Sequence, residues 1–490
     1  MSEYRFPQEV RGLVRDALPM DVAVSGNTPD LKQTYAPASH AWALRPDSML
    51  VVGIRGSGKS FWWSALQSKE HRQLITSLMP AAGLNADAIV TQGFGEKPSP
   101  GDYPGKDAIA KLIESCDARQ IWRTIVVWQV LEKQSLLRIQ SGSWKEKIDW
   151  VANHPEDVEQ LLFKADSQLD QKNLHHLILF DALDRTADNW SIMSELVRGL
   201  LQVLLDFRPY KRIRPKAFVR PDHLEDVVVA NFPDSSKILN QKTELRWPPN
   251  ELYSLLWQYL ANEPRHGQVF RDGCAEEFRI KWHSQEGVWI APEKLRIDVH
   301  LQRTIFHAIT GPWMGRDMRR GYPYTWLPNH LGDAYRQVSP RSFMAALRHA
   351  ADDRLSIPKE HPYALYYESI KRGVQEASRI RVREMQEDYP WVQVLMSPLS
   401  GLTVPCKFEE IASKWNSHGT LSRLSREISE ANVKLPPVHL DVDSPNGVRL
   451  DLEKLGVFER MTDGRVNLPD VYRVGYGMGR RGGIKAVART

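Results

Sequence analysis

The chain of 490 residues has only three cysteines and lacks any long hydrophobic run. Cys116, Cys274 and Cys406 lie far apart without a CxxC spacing, which argues against a disulfide framework or a zinc cluster and favours a reducing compartment. Apolar runs such as Ile125–Trp128 are far shorter than the roughly 20 residues that a membrane span needs. The first residues alternate in charge and contain no apolar signal core. We therefore expect a cytoplasmic protein without membrane contact.

An excess of charge of one sign is confined to the C-terminus. The formal net charge is +5. Residues 471–490 alone contain five basic side chains and no acidic one, so the rest of the chain is neutral overall. A globally basic coat for nucleic acid is therefore excluded, and attraction to phosphate must come from local patches or from this tail.

The most specific motif is the glycine-rich stretch from Gly53 to Ser60, which fits GxxxxGK[ST] without a mismatch. It lies between a buried-strand pattern over 48–53 and a helix pattern over 60–67. Glycines let backbone N–H groups turn toward phosphate oxygens, and the helix that follows directs its positive end at the same anion. We therefore predict ATP and Mg²⁺ as cofactors, with the nucleotide bound by Gly53, Arg55, Gly56, Ser57, Gly58, Lys59, Ser60 and Phe61.

A second acidic element follows a buried-strand pattern over 177–180. Asp181 emerges at the carboxyl end of that strand, where a carboxylate can hold Mg²⁺ directly or through its water shell. The ammonium of Lys59 would reach the β- and γ-phosphates, and the hydroxyl of Ser60 would bind the same metal. The sequence thus predicts Ser60 and Asp181 as metal ligands and Lys59 and Asp181 as catalytic residues.

The stretch Phe180-Asp181-Ala182-Leu183-Asp184-Arg185 resembles the acidic strand of the STAND and KAP P-loop ATPases, relatives of the AAA+ ATPases. Their pattern is an apolar strand, Asp-Asp, an apolar residue, Asp and Arg, and only Ala182 departs from it. That position often carries a second acid that orients the attacking water. The departure argues against fast hydrolysis and leaves three alternatives: Asp184 substitutes as general base, a neighbouring subunit completes the site, or the protein binds ATP and turns it over slowly.

The resemblance covers about residues 47–247, and about 120 residues between the two motifs imply an insertion. It implies nucleotide-controlled switching or homo-oligomerisation with a partner or effector protein, and family membership of this kind suggests bacterial stress or antiviral defence. Arg220 ends a short strand pattern and resembles a residue that senses the γ-phosphate. Arg341 begins a helix after Ser339 and resembles a second sensor that reaches the nucleotide from a helical lid.

The order of elements predicts an α/β fold class. Strands that alternate with helices indicate a P-loop NTPase parallel sheet with helices on both faces. Helices dominate after Pro248, and a last region combines short helices with a hairpin signal at Asp463-Gly464. We expect an N-terminal arm (1–46), a P-loop core with insertion (47–247), a helical lid domain (248–388) and a winged-helix-like domain with a basic, flexible Gly-rich tail (389–490).

Three functions remain open at this point. The first is an ATPase switch of the STAND/KAP kind. The second is a DNA-binding ATPase of the initiator or loader type, in which the winged helix and the tail, with Arg480 and Arg481, contact duplex phosphates. The third is a nucleotide-gated scaffold that does not hydrolyse ATP, which is motivated by Ala182. Arg185 has two candidate roles, a finger acting across a subunit interface or a local ion-pair partner for Asp181 or Asp184.

Overall fold

The computed structural model describes residues 4–19, 28–137, 142–187, 189–224, 229, 231–353, 361–430 and 435–480. The chain forms two compact units, Ala23–Arg246 and Met1–Val22 together with Trp247–Thr490. The predicted arm 1–46 is therefore divided between the two units. Among the described helices, none combines the length and the apolar character needed to cross a membrane.

The unit Ala23–Arg246 is built on a parallel sheet. Its five strands are β1 (Leu50–Val52), β2 (Ile89–Phe94), β3 (His176–Phe180), β4 (Ile213–Val219) and β5 (Thr243–Glu244). They lie in the order β2-β3-β4-β1-β5, and each neighbouring pair is parallel. The predicted α/β class with a parallel sheet is confirmed. β4 thus separates the strand that precedes the glycine-rich loop from the strand that ends before Asp181.

Helices cover both faces of this sheet. The first helix of the chain, α1 (Glu9–Ala17), belongs to the other unit. The helices of this unit are α2 (Ala41–Leu44), α3 (Lys59–Gln67), α4 (Lys69–Leu78), α5 (Lys106–Leu112), α6 (Ala118–Lys133), α7 (Trp144–Asn153), α8 (Pro155–Gln171), α9 (Trp190–Asp206) and α10 (Ser235–Leu239). Leu177 and Leu179 share an apolar core with Trp62 of α3. Phe180 points to the other face, where its ring meets Trp122 of α6 edge-on. This alternation follows from the two-residue period of a strand.

The other unit is mostly helical. Its helices after α1 are α11 (Pro249–Asn262), α12 (Gly267–Phe278), α13 (Glu293–Ile297), α14 (Val299–Thr310), α15 (Pro323–Leu331), α16 (Pro340–Asp352), α17 (Tyr367–Asp388), α18 (Pro390–Met396), α19 (Phe408–Ser417), α20 (Thr420–Glu430), α21 (Asn446–Lys454) and α22 (Asp470–Arg473). Its strands are β6 (His283–Gln285), β7 (Val288–Ile290), β8 (Thr403–Val404), β9 (Glu459–Arg460), β10 (Val466–Asn467) and β11 (Gly479–Arg480).

The residues predicted to form separate domains over 248–388 and 389–490 lie together in this unit. The long helix α17 joins them, because the Ser378 hydroxyl donates to the Val471 carbonyl at 2.7 Å and accepts from the Gly475 N–H at 2.8 Å. The hairpin at Asp463-Gly464 is present as β9 and β10. Its second strand ends at Asn467, and a short helix over Asp470–Arg473 begins after Pro469.

The expectation of a flexible tail is wrong for residues 475–480. Tyr476 and Met478 are buried, and β11 pairs in parallel with β8. Arg480 lies 3.4 Å from the Asp470 carboxylate, so its charge has a partner within the fold. The tyrosine and methionine anchor the glycine-rich segment by burying their apolar side chains. Arg481 and the rest of the tail lie outside the described residues.

Candidate nucleotide-binding site

The glycine-rich loop connects the carboxyl end of β1 to the start of α3. The Gly53 N–H donates to the Val219 carbonyl at 3.1 Å, which fixes the loop entrance to β4. Gly56 and Gly58 have φ values of 77° and 101°. Only glycine adopts this left-handed region without strain, so these two positions explain why the loop needs glycine.

The first turn of α3 keeps its backbone donors directed at the loop. Gly58 occupies the N-cap, and within the described chain no side chain caps the helix there. The N-terminal amides of a helix have no partner inside the helix and carry the positive end of its dipole. This geometry suits a phosphate group.

Lys59 folds back onto the loop. Its Nζ donates to the carbonyls of Gly53 at 2.7 Å and Ile54 at 3.0 Å. Burial and the nearby Arg220 together lower the pKa of Lys59 to about 8, against the opposite effect of Asp181, Asp184 and Asp222. The lysine therefore lies among the charged groups at the carboxyl edge of the sheet.

Asp181 is buried directly after β3, and its N–H donates to the Phe94 carbonyl at 3.0 Å. Burial raises the pKa of Asp181, whereas the nearby Ser60 hydroxyl, the charge of Lys59 and the Ala182 N–H act in the opposite direction. Ala182 adopts a left-handed conformation with φ of 55°, which is strained for a residue with a side chain and is typical of functional turns.

The donor set at this point fits magnesium. Ser60 is exposed and Asp181 is buried, and the Ser60 hydroxyl lies near enough to the Asp181 carboxylate to favour its charged form. Mg²⁺ prefers hard oxygen ligands and usually binds through one or two protein groups plus phosphates and waters. Ser60 and Asp181 would therefore hold the ion beside a nucleotide, and the uncapped start of α3 would receive the phosphates.

The end of β4 brings Arg220 to the same edge. Its guanidinium pairs with Asp222 at 2.8 Å, and both side chains are largely buried. His223 follows within the short helical turn Pro221–His223 and is 3% exposed. The charges of Lys59 and Asp184 act on this imidazole, as do those of its chain neighbours Arg220 and Asp222.

Arg185 has a local partner, although not one of the two that the sequence suggested. It forms an ion pair with Glu96, which follows β2. β2 and β3 are neighbours, so the residues after their ends meet at one edge. Asp184, one residue earlier, is half-buried and acts electrostatically on Lys59 and Asp181.

The remaining predicted site residues differ in where they lie. Ser57 is buried within the loop, Arg55 is half-buried, and Phe61 packs against the apolar core beside α3. Arg341 lies in the other unit, where its guanidinium donates to Glu384 at 2.6 Å. Its N-cap Ser339 makes no side-chain capping bond. The roles of these residues in binding a nucleotide stay predictions.

Sequence reasoning missed three residues of the site. Asp222 and His223 directly follow Arg220, and Glu96 follows the strand pattern over 88–92 by four residues. The available signal was the rule that residues after neighbouring parallel strands meet at one edge. Applying it requires the strand order, which the sequence does not state.

Comparisons with known proteins give a weak likeness only. No protein-family model matches the chain, and no curated protein sequence matches it. Among solved structures, the crystal structure of Cdc6p from Pyrobaculum aerophilum matches with a TM-score of 0.30 and 11% identity, over 91% of this chain and 94% of that one. The ORC2 protein of Aeropyrum pernix, in ADPNP–ADP complexes, gives 0.30 and 13%, over 90% and 93%. Likeness at this level carries no argument about function.

Proposed function

We propose that the unit Ala23–Arg246 binds Mg·ATP and hydrolyses it slowly, as a nucleotide-controlled switch related to the STAND/KAP and AAA+ ATPases. The observation that carries the proposal is the proximity of the Ser60 hydroxyl to the Asp181 carboxylate, beside a helix start that no described side chain caps. Two residues that lie about 120 positions apart in the chain thereby form one oxygen-rich site next to a loop with glycine-specific backbone angles.

Each side chain of the candidate site would have a separate role in binding or hydrolysis. Lys59 would exchange its two loop carbonyls for phosphate oxygens, and the loop amides would hold the rest of the triphosphate. Ser60 and Asp181 would hold Mg²⁺, which when bound neutralises charge on the β- and γ-phosphates. Asp184 would accept the proton of the attacking water, and Arg220 would contact the γ-phosphate. The absence of a carboxylate at position 182 removes one group that orients water, which is why we propose slow turnover.

Calorimetric titration of the full chain with Mg·ATP tests the binding step. Lys59→Ala should abolish measurable binding, because it removes the one ammonium that reaches the phosphates. Lys69→Ala is the matched control, since Lys69 lies on the next helix and pairs with Asp87 at the surface. The proposal is wrong if the Lys59 variant binds ATP as tightly as the wild type does.

Single-turnover measurement with labelled ATP separates the slow ATPase from a scaffold that does not hydrolyse. The slow ATPase predicts phosphate release that Asp181→Ala abolishes and Asp184→Asn reduces. A wild-type chain that binds ATP and releases no phosphate would favour the scaffold. Light scattering after size exclusion, without nucleotide and with ATP, tests the proposed homo-oligomer in the same preparation. A role in antiviral defence stays a prediction.

A second candidate function, duplex DNA binding of the initiator type, is favoured by the arrangement of residues 403–467. Helices α19, α20 and α21 precede the β9–β10 hairpin, and Cys406 bridges to Val466 beside it. We propose that this segment is winged-helix-like. Arg426 on α20 and Arg460 on the hairpin are both exposed and would contact phosphates.

Gel shifts with duplex DNA at rising salt test this candidate. Replacing both Arg426 and Arg460 with Gln should weaken binding and flatten its dependence on salt, because fewer counterions are released. Arg423→Gln is the control, since the Arg423 guanidinium lies 3.3 Å from Glu427. Absence of binding at low salt would remove the candidate.

A further inference from the structure

His223 is a buried histidine whose imidazole makes no hydrogen bond to any residue that the structure describes. It is 3% exposed, and neither Nδ1 nor Nε2 has a hydrogen-bond partner among the described residues. Buried polar groups in folded proteins are nearly always paired, and an orphan calls for an explanation such as a ligand that is bound only in another state. His223 differs in this respect from His40 and His176, which are equally buried but bond to Trp62 and Thr91.

The sheet order places His223 between the two halves of the candidate site. β4 lies between β1, which leads into the loop, and β3, which ends before Asp181. The carboxyl ends of parallel strands meet at one edge, so the turn after β4 opens between the loop and the metal ligands. The edge of the Trp190 ring packs against the imidazole, with 6.4 Å between centroids.

The groups that face the imidazole come from three elements. Lys59 belongs to α3, Asp184 to the turn after β3, and Arg220 and Asp222 to the end of β4. Burial lowers the pKa of His223, and the two cations lower it further, whereas the two carboxylates raise it. The imidazole is therefore neutral at pH 7 and offers one N–H donor and one acceptor nitrogen.

We propose that His223 donates a hydrogen bond to the terminal phosphate of the nucleoside triphosphate and thereby distinguishes triphosphate from diphosphate. This inference rests on the proposed function and deepens it. A phosphate oxygen accepts the N–H, and a water molecule near that phosphate donates to the other nitrogen. Lys59 fixes the side from which the phosphate approaches, because its ammonium would reach the β- and γ-phosphates and its charge acts on the same imidazole. A diphosphate lacks the group that pairs with the donor.

The test compares ATP and ADP affinity by calorimetry on the full chain at pH 7 with Mg²⁺. His223→Phe keeps a flat ring against Trp190 and removes both nitrogens. We expect it to weaken ATP binding about 10-fold, the effect of one hydrogen bond to a charged acceptor, and to leave ADP binding unchanged. His223→Gln keeps a donor and should retain most of the wild-type preference for ATP.

Two controls separate recognition from folding. His71→Phe removes a buried histidine whose Nδ1 contacts Ser68 and on which only Glu70 and Asp30 act, and it should leave the ATP-to-ADP ratio unchanged. The melting temperature of the nucleotide-free His223→Phe chain should equal or exceed that of the wild type, because the orphan polar atoms are gone. If the Phe variant does not fold, His223→Met removes the same nitrogens with a flexible side chain.

The outcomes distinguish this inference from the proposed function. An unchanged ATP-to-ADP ratio in the folded Phe or Met variant, with binding that still depends on Lys59, overturns the role of His223 alone. Wild-type protein that binds no ATP, or binding that survives Lys59→Ala, overturns the proposed function instead. An equal loss of ATP and ADP affinity shows a structural role for His223 and also overturns the inference.

Discussion

Acid should destabilise the unit Ala23–Arg246 through two of its buried histidines, His40 and His176. The His40 Nδ1 accepts from the Trp62 indole on α3 at 3.0 Å, and its Nε2 lies 3.2 Å from the Arg246 carbonyl. His176 on β3 lies 3.0 Å from the Thr91 hydroxyl. Both side chains are fully buried, and burial lowers the pKa of each to about 3. Protonating Nδ1 of His40 would also replace its acceptor with a second donor facing the indole.

The sign and size of the effect follow from proton linkage. Between pH 3 and 6.5 the unfolded chain binds a proton at each histidine that the folded chain does not, so the free energy of unfolding falls as the pH falls below 6.5. Each titrating group contributes about 1.4 kcal/mol per pH unit within this window. At pH 5, one and a half units below the unfolded pKa, each histidine should cost about 2 kcal/mol.

Urea denaturation at pH 7 and pH 5, followed by circular dichroism, measures this loss. His40→Gln and His176→Gln replace a titrating side chain with a neutral one, so each variant should lose about 2 kcal/mol less than the wild type on acidification. His154→Gln is the control, because His154 is exposed in the same unit. The reasoning is refuted if the His40, His176 double variant loses as much stability between the two pH values as the wild type.

Three further perturbations have expected outcomes in thermal and urea unfolding. Arg473→Met should cost about 3–5 kcal/mol because Arg473 is fully buried against an acidic partner, whereas Arg465→Met, at an exposed pair, should cost less than about 1 kcal/mol. Gly373→Ala should lower the melting temperature because its Cβ would lie 2.0 Å from a carbonyl oxygen of α16; Gly12→Ala, with open space in α1, should stabilise by about 0.5–1 kcal/mol. Mg·ATP at about 100 times its Kd should add about 2.7 kcal/mol to the unfolding free energy, and Lys59→Ala should abolish this gain.

The parts of the fold that could be predicted are those with short-range causes. The glycines between 53 and 58 set backbone angles locally, and the apolar run 177–180 requires a strand buried on both faces. The position of Asp181 directly after a buried strand has the same kind of local cause, and the Ser60 hydroxyl acts on its carboxylate in the folded unit. These features depend on neighbouring residues or on one rule of sheet geometry, so the sequence alone supports them.

The parts that could not be predicted depend on which charges meet across the fold. Arg473 was counted with the basic tail, but it is fully buried and pairs with Asp470 three residues earlier at 2.6 Å. The i, i+3 spacing of Asp470 and Arg473 could have predicted their ion pair. The burial of Met478 in the same segment could not have been predicted from spacing. The pairing of Arg185 with Glu96 likewise needed the neighbourhood of β2 and β3.

Most charged groups of the candidate site already have a partner within the protein, and this pairing affects the affinity for a nucleotide. Lys59 bonds to loop carbonyls, Arg185 pairs with Glu96, and Arg220 pairs with Asp222. A nucleotide at these groups would exchange one set of polar contacts for another, and such an exchange contributes only the difference between the two sets. His223 has no hydrogen bond to give up among the described residues. A phosphate that accepts a hydrogen bond from His223 therefore replaces no existing bond. The phosphate that contacts His223 should then determine the preference for ATP over ADP, even if Lys59 contributes most of the binding free energy.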